Sequence, residues 1–319
     1  MNTSVFPYLR LSVSDRCNFN CFYCQPALRQ NFLAEGDMLD LGELFLLVKE
    51  LSHYGIRHVR LTGGEPLLRE NITDFIKTLS ALSQLECLSL TTNGYHLSPF
   101  LRDLKTAGIV KINISLDTLK RERFMKLTGI DAFAKVQDAI FNAKKFGIEH
   151  VKLNILLMKG FNDDEIFDFV DFGLFHRVDV RFIEYFPTNP KVDIFQESFI
   201  PSKDVFKAIE DRYGRLEFLG PDPLSGPAQY FRIKEEEARI GFISSVTEFF
   251  CDDCNRLRLT SDGKLYLCLH ADYYADLKQP LREGDTKGLS RLILDSLSRK
   301  KLYNKTTCAR SFEMSSIGG

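Results

Sequence analysis

YLRLSVSDRCNFNCFYC, residues 8–24, is a short strand-forming run that opens into a loop carrying Cys17, Cys21 and Cys24. In sheets built from βα units the C-terminal strand end is where chemistry is placed, so a strand that delivers three thiols there suggests an active-site loop. Three thiolates at spacings of four and three are one short of a closed tetrahedral metal site or a fully ligated iron–sulfur cubane, which leaves one position open. Phe19, Phe22 and Tyr23 lie between the cysteines and offer aromatic cover against water. These residues alone fit either a four-iron cluster or a zinc completed by a distant histidine.

Outward from this stretch, strand-forming runs alternate with amphipathic ones as far as Phe186, the pattern of βα units and a parallel sheet. Strands are expected at Tyr8 to Val13, His58 to Thr62, Cys87 to Thr92, Lys111 to Leu116, Val151 to Met158 and Asp179 to Phe186. Helical periodicity fills the gaps, with Gly55, Gly108 and Gly147 placed to end three helices. Six units are fewer than the eight of a full barrel, so the pattern allows an α/β partial (β/α)6 TIM-type barrel or an open doubly wound sheet. Gly63-Gly64-Glu65-Pro66, Thr92-Asn93-Gly94, and Ser115 with Asp117 all fall at C-terminal strand ends, beside the cysteine loop. After Pro187 the repeat stops. A helix is expected from Ser202 to Tyr213 and strands from Tyr230 to Ile233 and Arg239 to Ser244. The boundary near residue 190 then separates a barrel domain, 1–190, from a smaller C-terminal α+β domain, 191–319.

Composition narrows the function class. With 42 Lys and Arg against 43 Asp and Glu, the net charge of −1 gives no global basic field for a polynucleotide, so local cations must bind any anionic ligand. The N-terminus has neither a basic stretch nor an apolar leader, and no apolar run is long enough to span a bilayer. A cytoplasmic, reducing location is expected, with no membrane partner; clustered cysteines there serve as metal ligands or redox groups rather than disulfides. Cys87, in the apolar run LECLSL, reads as a small core residue, and Cys308 has no assignment.

A second thiol set, Cys251, Cys254 and Cys268, lies in FFCDDCNRLRLTSDGKLYLC. Arg256 and Arg258 alternate there with Leu257 and Leu259, so on a strand the two guanidinium groups share a face. His270, two residues beyond Cys268, makes a Cys3His zinc site the rival reading. With structural zinc in both sets, the chain would be a non-catalytic scaffold.

CNFNCFYC followed by TGGEP resembles the radical S-adenosylmethionine (SAM) superfamily. That resemblance implies a partial barrel and a four-iron cluster on Cys17, Cys21 and Cys24. It implies SAM on the open iron, and cleavage of SAM to a radical that abstracts hydrogen from the substrate. It also carries Tyr23, Gly63, Gly64, Glu65, Thr92, Asn93, Ser115 and Asn154 over as SAM contacts. CxxC, thirteen residues, then Cys, together with CNRLRLT, GPA at 226–228, IGFIS at 240–244 and a terminal IGG, resembles the GTP 3',8-cyclase family of molybdenum cofactor biosynthesis. This second resemblance implies another four-iron cluster, on Cys251, Cys254 and Cys268, with GTP cyclised between the two. Arg60, Lys152 and Arg181 correspond to triphosphate ligands, and Arg10, Arg256 and Arg258 to further essential arginines at substrate. A homodimer, a reductant and the downstream synthase of cyclic pyranopterin monophosphate follow as expected partners. A radical SAM maturase acting on a peptide or another nucleotide is the alternative enzyme. Two departures stand out: His58 occupies a position where the family often has lysine, and residues 187–196 diverge from its glycine-rich loop.

Overall fold

The computed structural model describes residues 6–24, 32–186, 195–221, 226–248, 254–269 and 273–302. In chain order the elements are β1 (Tyr8–Ser12), α1 (Leu41–His53), β2 (His58–Thr62), α2 (Ile72–Ser80), β3 (Cys87–Thr92), α3 (Leu97–Thr106), β4 (Ile109–Ser115), α4 (Arg121–Thr128), α5 (Phe133–Lys145), β5 (His150–Leu157), α6 (Ile166–His176) and β6 (Asp179–Glu184). They continue with α7 (Phe195–Ser198), α8 (Ser202–Tyr213), β7 (Leu216–Pro221), β8 (Gln229–Ile233), β9 (Arg239–Ile243), β10 (Arg256–Leu259), β11 (Lys264–Tyr266), β12 (Tyr274–Asp276), α9 (Lys278–Arg282) and α10 (Thr286–Leu302).

Local chemistry sets these boundaries. Asp40 caps α1 in a reciprocal box with Glu43, and Gly55, at φ 105°, turns the chain away beyond its last turn. Gly108 and Gly147 do the same after α3 and α5, also at positive φ. Helix α8 spans the expected residues, and each of the six expected strands is present within a few residues.

Strand order decides between the two architectures. The strands run β12-β11-β10-β1-β2-β3-β4-β5-β6-β9-β8-β7, and β1 through β6 are parallel neighbours in sequence order. Right-handed crossovers between consecutive neighbours put every helix on one side, whereas a doubly wound sheet needs a reversal of strand order. This is the barrel-type winding. The C-terminal segment adds strands to the same sheet at both edges: β10 pairs in parallel with β1, and β9 with β6. The boundary expected near residue 190 falls in 187–194, outside the described residues.

The two faces of this sheet differ sharply. Leu9, Leu11, Val59, Leu61, Leu88, Leu90, Ile112, Ile114, Leu153, Ile155, Val180 and Phe182 are all buried in one apolar core on one face. Registered pairs place Arg258, Arg10, Arg60, Ser89 and Lys111 on the opposite face. Further pairs on that face are Thr91 with Asn113, Asn113 with Lys152, Ser115 with Asn154, and Asn154 with Arg181. Central parallel strands normally read as continuous apolar runs, because both faces pack. Here they alternate, so the inner face lines a polar cavity.

Cys87 is buried, as expected of a core residue, and it pairs in register with His58 on the inner face.

Candidate active site

The rim at the C-terminal strand ends is built from loops fastened to one another. After β2, Gly63 lies so close to the loop after β1 that a Cβ would stand 2.3 Å from the Ser14 carbonyl oxygen, and one on Gly64 would stand 2.1 Å from that of Arg16. Neither position admits a side chain. Gly64 and Glu65 instead donate their amides to the Ser14 and Arg16 carbonyls, joining the TGGEP loop to the cysteine loop. The fully buried Glu65 carboxylate accepts from the Asn93 and Leu67 amides and the Thr92 hydroxyl, which ties in the loop after β3. Burial pushes Glu65 up to about 7 despite those donors. Asn93 Nδ2 then reaches Asn18 Oδ1 at 2.8 Å and Cys17 Sγ at 3.7 Å.

The Tyr23 hydroxyl donates to Asp117 at 2.6 Å, and Asp117 also accepts the Leu156 amide, so the cysteine loop is braced against the ends of β4 and β5. The hydroxyl of Thr92 and the side chain of Glu65 thus serve as braces. Ser115 and Asn154 stand as a registered pair at the upper end of the inner face, and Asn154 Oδ1 is buried with no hydrogen-bond partner.

The thiols of the first set are desolvated. Burial pushes Cys17 up to about 11, and burial with the neighbouring Cys24, Asp117 and Cys17 raises Cys21 well above the usual thiol value. Such thiols ionise only when a cationic metal compensates. Among the described residues no three His, Cys, Asp or Glu side chains converge on one ion. Three partly buried thiols on one loop are the soft donor set that a four-iron cluster takes.

The second thiol set occupies the other end. Cys254 precedes β10, whose Arg256 lies beside Tyr8, and Cys268 follows the antiparallel β11, so both sit at the N-terminal end of β1. Burial opposes ionisation of Cys254, but Arg256 and Lys300 outweigh it and bring the thiol down to about 6. Cys251, His270 and the C-terminal glycines lie outside the described residues.

Between the two ends, β1 rises about 13 Å. Arg10, Arg60, Lys111, Lys152, Arg181, Arg256 and Arg258 all stand on the inner face over this depth. The carboxylate that shares the face on strands β1 to β6 is Asp179, which is bound to Arg239. Burial and the neighbouring Arg258 lower Arg10, and burial with Arg256 brings Arg258 down to about 10. Among the described residues, Nη2 of Arg60 and Nε of Arg181 are buried and meet no hydrogen-bond partner. Desolvated cations repelling one another are costly unless an anion joins them.

At the floor Ser89 Oγ accepts from Arg60 Nε at 3.0 Å and lies 2.8 Å from His58 Nε2, while His58 packs edge-on to Tyr8. The departure at His58 therefore keeps a polar floor, with imidazole in place of a longer cation.

Several lining residues escaped the sequence reading. Lys111, Ser89 and Asn113 are three of them, and the period-two alternation in KINIS and CLSLT was the signal. Tyr230 is another: its hydroxyl accepts from Lys152 Nζ at 3.0 Å, and its ring lies under that ammonium. A Cβ on Gly241 would stand 2.8 Å from Arg181 Cγ and 3.0 Å from Tyr230 Cε1, so the glycine of IGFIS makes room for both.

Fold and rim together define a radical SAM protein, and the family model described as the Radical SAM superfamily matches residues 11–173. A second model, Molybdenum Cofactor Synthesis C, matches residues 178–306. The chain is 43% identical over 295 residues to a GTP 3',8-cyclase of Peptoclostridium acidaminophilum, covering 92% of this chain and 89% of that one. It is 41% identical over 296 residues to GTP 3',8-cyclase 2 of Pseudomonas aeruginosa, covering 92% and 88%. This chain belongs to the GTP 3',8-cyclase family. Membership implies one four-iron cluster and SAM. Among solved structures, Streptococcus suis SuiB bound to S-adenosylmethionine shares the fold at a TM-score of 0.65 and 14% identity, over 96% of this chain and 78% of that one. Among the described residues no helix is long and apolar enough to cross a membrane.

Proposed function

We propose that this chain cyclises GTP by joining ribose C3' to guanine C8, the first step of molybdenum cofactor biosynthesis. The observation that carries the reading is the buried cationic cavity between two thiol sets at opposite ends of one sheet face. Cys17, Cys21 and Cys24 hold the first cluster, and the backbone of Gly63, Gly64 and Glu65, with Tyr23, Thr92, Asn93, Ser115 and Asn154, forms the SAM pocket. When bound, the reduced cluster supplies the electron that cleaves SAM to the 5'-deoxyadenosyl radical, which takes the ribose 3' hydrogen.

Everything else falls to the cavity. Arg60, Lys152 and Arg181 neutralise the triphosphate at mid-depth, each cation gaining roughly 4 kcal/mol of attraction at about 4 Å and an effective dielectric near 20. Tyr230 steadies Lys152, and Gly241 lets Arg181 lie flat along the sheet. Arg10, Arg256 and Arg258 form the wall nearest Cys254 and Cys268. With Cys251, those two cysteines would hold a second cluster, and the arginines beside them would hold the base at the floor, leaving the ribose toward the rim. A peptide substrate has less support, because an extended neutral chain would leave these cations uncompensated.

The protein works in the cytoplasm, possesses the dimerising habit of its family, draws electrons from a separate reductant and passes its product to a cyclic pyranopterin monophosphate synthase. Functionally, residues beyond about 190 supply the floor and one wall of the cavity.

The test is an anaerobic assay of reconstituted protein with GTP, SAM and a strong reductant, read by mass spectrometry. 5'-Deoxyadenosine together with cyclised GTP is expected. Deoxyadenosine alone would overturn the substrate assignment, and neither product would overturn the enzymatic one.

A further inference from the structure

Helix α10 buries Leu289, Ile293 and Ser296, successive steps of four and three along one stripe. The next position on that stripe is Lys300, and it is also buried, at 8% exposure. A lysine where the helical period calls for an apolar residue needs a compensating group, because a buried unpaired ammonium costs several kcal/mol. Among the described residues Lys300 has no carboxylate in ion-pair range; its Nζ lies 3.6 Å from Cys254 Sγ.

We propose that Lys300 is a positioning residue of the second cluster: its ammonium donates to the Cys254 sulfur and sets the reduction potential at which that centre operates against guanine. The inference rests on the two-cluster reading above. A hydrogen bond and a positive charge at a ligating sulfur both stabilise the more negative, reduced state, so they raise a cluster's potential. Arg256 hydrogen-bonds the same sulfur and Arg258 lies near it, but both stand on strand β10 in register with Tyr8 and Arg10 of the inner face. Lys300 reaches Cys254 from a helix, so it can tune the centre without touching substrate.

The full chain with Cys17, Cys21 and Cys24 all replaced by Ala isolates the second centre, and an EPR-monitored redox titration without GTP reads its potential. K300M in that background is expected to lower the reduced-to-oxidised ratio at a fixed potential about tenfold, which is about 59 mV for one electron. K300R is expected to restore most of the shift. Equal midpoints for K300M and the parent would overturn the proposal while leaving the two-cluster reading intact. If K300M fails to hold iron but K300R holds it, the charged contact is supported by that route. Iron loss from both would overturn it in favour of simple packing, and a parent with no four-iron signal would overturn both readings.

Discussion

Rim and floor of the cavity each present cysteines, yet they are held in opposite ways. At the rim the thiols are surrounded by neutral donors and carboxylates: Cys17 accepts from the Phe19 amide at 3.4 Å and from Asn93, and Asp117 stands near Cys21. At the floor Cys254 faces cations, namely Arg256 and Lys300, and lies close to Arg258. Burial raises the first thiols, whereas at Cys254 the cationic neighbours outweigh burial and lower the thiol. The rim loops are interlocked by backbone hydrogen bonds, whereas the floor is built from strand-borne arginines.

The largest expected effect removes one side of the comparison altogether. Cys24→Ser should abolish deoxyadenosine formation, a loss of at least about a thousandfold given that no other route to the radical exists. Cys268→Ser should leave SAM cleavage measurable and remove cyclised product. Equal loss of both products in both variants would erase the division of labour between rim and floor.

Next in size is Arg258→Gln, which leaves the rim untouched and takes a buried cation from the floor. A charge-assisted contact is worth about 1.5 to 3 kcal/mol, so cyclisation should fall by roughly 10- to 150-fold while uncoupled SAM cleavage continues. Unchanged cyclisation would show that the floor does not rely on charge.

The converse test is steric. Gly64→Ala puts a methyl 2.1 Å from the Arg16 carbonyl oxygen, where only backbone could yield. We expect a cost of about 3 kcal/mol and a Tm lower by roughly 6 to 12 °C, with SAM binding lost. A variant as stable as the parent would mean that the rim loops are not interlocked as described.

How much of this was visible in the sequence differs between the two regions. The rim was largely legible, because cysteines, paired glycines and TTNG punctuate strand ends in chain order and need no tertiary knowledge. What they do there was less so: that Glu65 turns inward to join three loops follows from burial, which spacing does not report. The floor was legible only through resemblance, since Arg256 meets Tyr8 across more than two hundred residues of sequence. Its remaining parts lay hidden in ordinary-looking alternation. KINIS and LRLS read as strands of either exposure until the winding puts their polar face inside, and Lys300 reads as one of many helix-surface lysines.

A smaller effect probes the joint between the two family segments. Tyr230→Phe removes the acceptor of Lys152 and keeps the ring beneath it. One net hydrogen bond is worth about 1 kcal/mol, so KM for GTP should rise about fivefold with little change in kcal-scale stability or in SAM cleavage. No change in KM would relieve Tyr230 of any role in holding the cation.

The smallest effect concerns pH and separates the rim from the floor once more. Burial raises Glu65 to about 7 from an ordinary value of 4.5, so the folded protein holds this proton more tightly than the unfolded chain does. Its contribution to stability is full below about pH 4.5 and is lost as pH rises through 7, the reverse of a salt-bridged carboxylate. Glu65→Gln cannot titrate, so the Tm difference between the parent and this variant should shrink by a few degrees from pH 5 to pH 8. Added salt should barely alter that trend, because the group is buried and its partners are neutral. Arg258→Gln should behave in the opposite manner, with an effect on GTP affinity that weakens with salt and changes little over the same pH range. A parallel pair of Tm curves for Glu65→Gln and the parent would show that the three donors from Asn93, Leu67 and Thr92 keep Glu65 ionised throughout. The rim would then be held by a buried charge, like the floor.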